Sequence, residues 1–235
     1  MTGPRPRLLL GAEHRCSYLQ GRTARSVFVD PQMPLDSARY GVLLDWGFRR
    51  SGVYVYRPAC GACQQCKPVR VPVAEFAPSR SQRRCIRDNA DLHVRAETDL
   101  NSEHYALYRK YLYARHPRGG MDPEDRAAFR SFLASAWGES EILAFRDARA
   151  RLLAGAVVDR VPQGLSAVYT YFDPDAGDRS LGTFAVLCEI ERARALRLPY
   201  VYLGYWVPGS VTMDYKRRFR PLETLTPQGW TRLPD

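Results

Sequence analysis

The chain has 235 residues, of which 45% are apolar, with 14 Tyr, 9 Phe and 4 Trp; this is ordinary globular composition, enough for one large domain or two small ones, and it excludes a disordered tail. The formal charge of +10 favours a polyanionic partner, and no run of about 20 apolar residues is present to span a membrane as a helix. The surplus is almost all arginine, with Lys67, Lys110 and Lys216 the only lysines, so charge alone leaves nucleic acid, acidic peptides and a bias of composition all open.

Met1 to Leu10 holds one apolar patch, Leu8-Leu9-Leu10, too short for a secretory signal, and the cytoplasm is the expected location. From Arg15 to about Asp91 the chain is rich in Pro, Gly, Cys and Arg. Its first motif sets Cys16, a turn, and the cations Arg15, Arg22 and Arg25 close together. Arginine forks bind phosphate or carboxylate through paired hydrogen bonds, and a solvated loop is the plain alternative. Cys16 reads as a ligand or packing group rather than a nucleophile, since no His stands in a partnering motif. Val53–Tyr56 and Val69–Val73 predict short strands.

Between them lies Cys60-Gly61-Ala62-Cys63-Gln64-Gln65-Cys66. Thiolates two residues apart can close on one metal, and a tetrahedral site needs a fourth ligand. Cys16 is the first candidate, ahead of Cys85 or His14. A structural zinc, an iron–sulfur cluster and reduced cysteines packed in a tight turn all suit the spacing. A redox CxxC suits it less, with no thioredoxin-like unit around it. No motif calls for an organic cofactor. Pro78 to Cys85 carries Arg80, Arg83 and Arg84, followed by Arg87, and reads as a phosphate-contacting loop or a solvated charge run.

From about Asp99 the texture is regular. Ser102 is placed to cap a helix through Leu112, ended by His116 to Gly120. Asp122-Pro123-Glu124 predicts the start of a second helix, with a stripe of Phe129, Phe132, Leu133 and Ala136. Glu141–Arg146, Leu152–Val161 and Leu165–Phe172 predict strands, the last two forming a hairpin. Alternation sets Tyr169, Tyr171 and Asp173 on one face, either a substrate wall or a strand rim with a turn-forming acid. Leu181–Leu196 predicts a helix with Leu181, Phe184, Ala185 and Cys188 on one face. In the strand Tyr200–Tyr205, Gly204 predicts a bulge that opens backbone N–H groups to an oxyanion. Tyr215 and Lys216 follow, with core plus basic surface as the plain reading. His93, His104 and His116 lack ligand-like spacing. The order is α+β with a mostly antiparallel sheet, compatible with an N-acetyltransferase-like (GNAT-type) fold.

Read together, the segments resemble a known family. They are Cys16-Ser17-Tyr18-Leu19 with Gly21-Arg22; Phe48 to Gly52; Tyr56 to Cys60 with Cys63 and Cys66; Phe76 to Arg84; Tyr111-Leu112 with Ala114-Arg115-His116 and Gly120-Met121; Leu165 to Pro174; Ser180 to Thr183; Tyr202 to Trp206; and Met213 to Lys216 with Arg218 to Glu223. They look like the bacterial aspartate/glutamate leucyltransferases, relatives of the arginyl-tRNA–protein transferases. Gln20 replaces an expected proline, and Ser210 stands where relatives often have cysteine.

The resemblance implies a small cysteine-bearing domain over residues 1–95 packed on an acetyltransferase-like domain over 96–235. It implies transfer of leucine from leucyl-tRNA to proteins beginning with Asp or Glu, which exposes a destabilising N-terminal residue for degradation. Neither DNA nor membrane is an expected partner. Such aminolysis of an ester needs alignment and oxyanion stabilisation more than a strong base. The backbone near Gly204 and the phenols of Tyr171 or Tyr205 are expected to line the reaction centre, with Asp173 orienting the ammonium or accepting its proton. Tyr169 and Tyr215 are expected to touch substrate. Arg80 and Lys216 are the candidate cations for the acidic side chain, and Arg22, Arg25, Arg83 and Arg84 for tRNA phosphates. Two alternatives are arginine as the donor amino acid, and a non-enzymatic, metal-stabilised RNA-binding module.

Overall fold

The computed structural model describes residues 6–117, 120–135 and 137–234, so Ala136, expected on a helical stripe, and Arg118 and Gly119, expected in a helix stop, lie outside the described residues. The first strands are β1 (Leu8–Leu10), the short pair β2 (His14–Arg15) and β3 (Thr23–Ala24), and β4 (Ser26–Val29). Helix α1 (Ser37–Asp45) follows, capped by Asp36, whose side chain accepts the Arg39 N–H at 2.7 Å. Next come β5 (Arg49–Ser51) and β6 (Tyr54–Pro58), completing an antiparallel sheet in the order β1-β4-β6-β5.

The remaining elements build one large sheet and its covering helices. They are β7 (Lys67–Pro72), α2 (Arg80–Asp88), β8 (His93–Glu97), α3 (Ser102–Arg115), α4 (Arg126–Leu133), β9 (Glu139–Arg146), β10 (Leu152–Val161), β11 (Gly164–Phe172), α5 (Leu181–Ala195), β12 (Tyr200–Trp206), β13 (Glu223–Thr226) and β14 (Gly229–Arg232). The sheet order is β14-β13-β7-β12-β11-β10-β9-β8, and β11 with β12 is its one parallel pair among the described residues. The fold is therefore mixed α+β. No helix among the described residues is long and apolar enough to cross a membrane.

Two-residue alternation gives the sheet two apolar faces. On β9, Leu143 and Phe145 join Val69, Val71, Leu165 and Val201 under α5 and α2, while Ile142 and Ala144 face α3 and α4. The boundary expected after residue 95 falls inside β8, and β7 lies well inside the large sheet, between β12 and β13. The segment read as a basic loop is helix α2. Ser79 and Gln82 form a reciprocal capping box there, a signature present in the sequence as Ser-x-x-Gln. Helix α3 is capped by Asn101 rather than Ser102, since the Asn101 carboxamide accepts from both Glu103 and His104 N–H. Helix α4 begins at Arg126, because Asp125 takes the cap and accepts from Ala128 N–H at 2.8 Å.

The small sheet is riveted to the large one by Arg50, which is 1% exposed. Its Nε and Nη2 donate to Asp159 on β10 at 2.5 and 2.8 Å, and Nη2 also donates to the Leu133 carbonyl at 2.8 Å.

Candidate active site

The parallel pair β11 and β12 holds together for only three residue pairs, ending at Ser166 opposite Tyr202. Both strands run on, so the β11-facing edge of β12 has no ladder partner beyond that point. A bulge against β7 between Tyr202 and Gly204 bends β12 where the strands part. Gly204 takes φ +71°, a left-handed conformation that suits glycine, and a Cβ there would stand 3.2 Å from Arg49 Nη1. The sequence expectation of a bulge at Gly204 is thus met in the backbone. Tyr205, 2% exposed, anchors the bend by donating its hydroxyl to the Gly47 carbonyl at 2.8 Å.

Two buried titratable groups lie behind this bend. Lys216 Nζ donates to the Tyr205 carbonyl at 2.7 Å, and the residue is 5% exposed. Burial, followed by the neighbouring Arg49 charge, pulls its pKa down to about 7. Glu189 on α5 is fully buried, and neither carboxylate oxygen receives a protein hydrogen bond. Burial raises it to about 8, against a downward pull from Lys216. Desolvation dominates both groups, so their linkage to stability runs opposite to that of a salt bridge. The Glu189 contribution is full below its ordinary 4.5 and is lost as pH rises through about 8. The Lys216 contribution is full above its ordinary 10.5 and is lost as pH falls through about 7. Stability should therefore dip near pH 7 to 8. Urea midpoints measured across pH should show Glu189→Gln flattening the acid limb while leaving the alkaline limb in place. Unchanged limbs in the variant would refute this account.

Arg49 opens β5 and is half-buried beside the bend. Its guanidinium carbon lies 5.9 Å from the Tyr205 ring centroid, and Tyr18 and Tyr56 are within electrostatic reach.

The residues predicted from sequence divide among several places. Tyr205, Gly204 and Lys216 meet at the bend. Tyr215 lies in a short turn of 3-10 helix, where burial, and then Glu189 and Tyr111 on α3, push its phenol up. Tyr169 packs its ring against Tyr108, Tyr111 and Phe132. Tyr171, on the same face and also against Tyr108, is fully buried, sharing a hydrogen bond of 2.7 Å with His104 Nδ1, whose Nε2 in turn meets Glu97 at 3.0 Å. Asp173 is held by Lys110 Nζ at 2.6 Å and caps the following turn by accepting from Asp175 N–H. Burial raises the Asp173 carboxyl, but Lys110 and the Asp175 N–H, with Arg151, together hold the pKa below the usual range, which makes a weak base. Arg80, Arg83 and Arg84 stand on α2, where Arg80, Arg84 and Arg87 line an open basic hollow with Ser79 and Ser81. Arg25 faces Glu13 at 3.5 Å.

Cys16, Cys60, Cys63 and Cys66 line one cavity of about 310 Å³, shared with Arg22, Arg25 and, at its inner end, Tyr205. Cys16 Sγ accepts the N–H groups of Tyr18 and Leu19, each at 3.4 Å, and Cys60 Sγ that of Arg25 at 3.5 Å. Burial and then the other three thiols raise Cys66 to about 11. A thiophilic cation would relieve that mutual repulsion. The sulfurs must draw closer to bind one, because among the described residues no three His, Cys, Asp or Glu side chains are set close enough to hold an ion.

Sequence reasoning passed over Glu189 and Arg49. Glu189 had a signal: it is an acid on the helical face of Ala185, Val186 and Ala193, all buried. Arg49 had none, since adjacent arginines look alike in a sequence and only the fold sends Arg50 to Asp159.

Comparison with known proteins places this site in context. The model for the N terminus of arginine-tRNA-protein transferase matches residues 14–84, and that for the C terminus matches residues 103–226. Three relatives are each named aspartate/glutamate leucyltransferase. The one from Nitrosococcus oceani is 49% identical over 94% of this chain and 93% of its own. The one from Teredinibacter turnerae is 49% identical over 94% and 91%, and the one from Halorhodospira halophila 47% identical over 98% of both. These matches define an aminoacyltransferase. The chain belongs to the arginine-tRNA-protein transferase family.

Proposed function

We propose that this enzyme transfers leucine from leucyl-tRNA to the N-terminal α-amine of proteins beginning with Asp or Glu, in the cytoplasm, marking them for degradation. The names of relatives at 46–49% identity support this donor and these acceptors. The observation that carries it in the structure is the parted edge of β12 at Gly204, with cations beside it. We read the large sheet as acetyltransferase-like on the same ground, with the cysteine-bearing segment as its own small unit. The basic hollow on α2, with Arg80 and Arg84, suits tRNA phosphates.

In this reading the neutral α-amine attacks the ester carbonyl carbon. The C–N bond forms, the bond from carbonyl carbon to ribose oxygen breaks, and the ribose hydroxyl leaves with a proton. The β12 edge beyond Tyr202 is where N–H groups meet the oxyanion. An α-amine has a pKa of about 7.7–8.0. The four cysteines form a second proposal, a structural zinc or iron–sulfur cluster, supported by their shared cavity and the N–H bonds to Cys16. Elemental analysis of protein purified without oxygen tests it.

The deciding assay incubates the protein with labelled leucyl-tRNA or arginyl-tRNA and peptides beginning with Glu, Asp or Ala. Transfer of leucine to the first two peptides is expected. Preference for arginine, or for the Ala peptide, would overturn the reading.

A further inference from the structure

Several arginines withdrawn from solvent in this fold have carboxylates: Arg50 rests on Asp159, Arg70 on Asp45 and Glu223, Arg146 on Glu97 and Glu103, and Arg192 on Glu141. Arg49 differs from these. Its half-buried side chain makes no hydrogen bond or ion pair among the described residues and stands over the Tyr205 ring. A guanidinium carries five donors and stays charged at any working pH. Held partly out of water with every donor unanswered by protein, it is poised for an anion.

Its position says which anion. Nη1 lies against Gly204, at the point where β12 leaves β11. Burial and then the nearby Arg49 charge disfavour protonation of Lys216, so the two cations are close neighbours. Tyr18, Tyr56 and Tyr205 surround the group. A planar fork matches a carboxylate in two parallel hydrogen bonds. We propose that Arg49 is the specificity residue for the acceptor, receiving the side-chain carboxylate of its first residue. This rests on the reading of the enzyme as acting on Asp- and Glu-starting proteins. It displaces Lys216 and Arg80 from that role. Lys216 is committed to the Tyr205 carbonyl and lies behind the strand, and Arg80 stands at the start of α2 in the open basic hollow. The Gly204 backbone then aligns the reacting carbonyl while Arg49 fixes the acceptor from its far end. One fork can serve both acids, since they differ by a single methylene, a small discrimination for most sites.

The test compares the wild type with Arg49→Gln and Arg49→Lys. Kinetics are measured with leucyl-tRNA and peptides beginning with Glu, Asp, Gln and Asn. Binding of fluorescent Glu- and Gln-starting peptides is measured separately, without tRNA. Arg49→Gln should lower kcat/KM for the acidic peptides by about a hundredfold, as for loss of a charged, desolvated hydrogen-bonded pair. It should also abolish the preference for Glu over Gln and leave the KM for leucyl-tRNA within about twofold. Arg49→Lys should keep part of the preference, because charge survives without the fork, and it carries the test if the Gln variant melts early. A retained preference for Glu over Gln would overturn the proposal. So would a rise confined to the leucyl-tRNA KM, which would assign Arg49 to the nucleotide end. If wild-type enzyme bound Glu peptides selectively but took no leucine from leucyl-tRNA, the donor reading would fail while Arg49 stayed testable by binding alone.

Discussion

Arg50→Ala should lower the free energy of unfolding by about 3–5 kcal/mol, the range for leaving one member of a buried ion pair alone. Against a total of roughly 5–15 kcal/mol, that loss threatens the fold itself. Arg50 spans three elements. It leaves β5, pairs with Asp159 on β10, and takes up carbonyls at the end of α4 from Phe132, Leu133 and Ala134. Those carbonyls have finished their helix and have no next turn to donate to them. Removing the guanidinium therefore orphans a buried carboxylate and several acceptors at once. Asp159 retains Ser140 Oγ as a donor at 2.5 Å, which softens the loss without replacing a cation. Arg50→Met combined with Asp159→Leu should recover part of the deficit, since neither charge is then stranded. Thermal and urea unfolding of the two variants measure this. A loss under about 1 kcal/mol in Arg50→Ala would show that the pair is not holding the sheets together.

Gly204→Val should reduce aminoacyl transfer by about a hundredfold, the scale of an ångström's misplacement at a reacting centre. Two effects combine. A β-branched residue at φ +71° is sterically disfavoured, so the bulge must relax. A Cβ at 3.2 Å from Arg49 Nη1 also pushes the guanidinium aside. Gly204→Ala meets the same contact with less backbone conflict and should fall between the two. Gly177→Ala is the control, because nothing stands within 4 Å of a Cβ there. Global stability should fall less than in Arg50→Ala, since the sheet pairs β12 with β7 on both sides of the bend. Full activity in Gly204→Val would remove the bend from the reaction.

Much of the second half was legible from periodicity. β10 runs Leu152–Val161 as read, and α5 ends one residue short of expectation. What stayed hidden has physical causes. Helix α2 was masked by charge: its apolar content is small, and only the capping box announced it. Tyr169, Tyr171 and Asp173 share one face as read, but that face is packed against α3, with Tyr171 meeting His104 and Asp173 meeting Lys110, partners that only the fold supplies. Lys216 read as a substrate-binding cation, with basic surface as the plain alternative, because its burial depends on β12 and α5, which the local sequence does not contain. Gly204 was found because a glycine inside a strand already states a local backbone problem.

Strand β7 also sets an order in time. It follows directly after Cys66, yet its two sheet partners, β12 and β13, begin at Tyr200 and Glu223. A chain emerging from the ribosome must carry β7 unpaired until those strands have been made. Its polar opening and its prolines, Pro68 and Pro72, limit what such a strand can pair with while it waits. The residues that later flank the reaction centre therefore find their places only after β12 and β13 have been made.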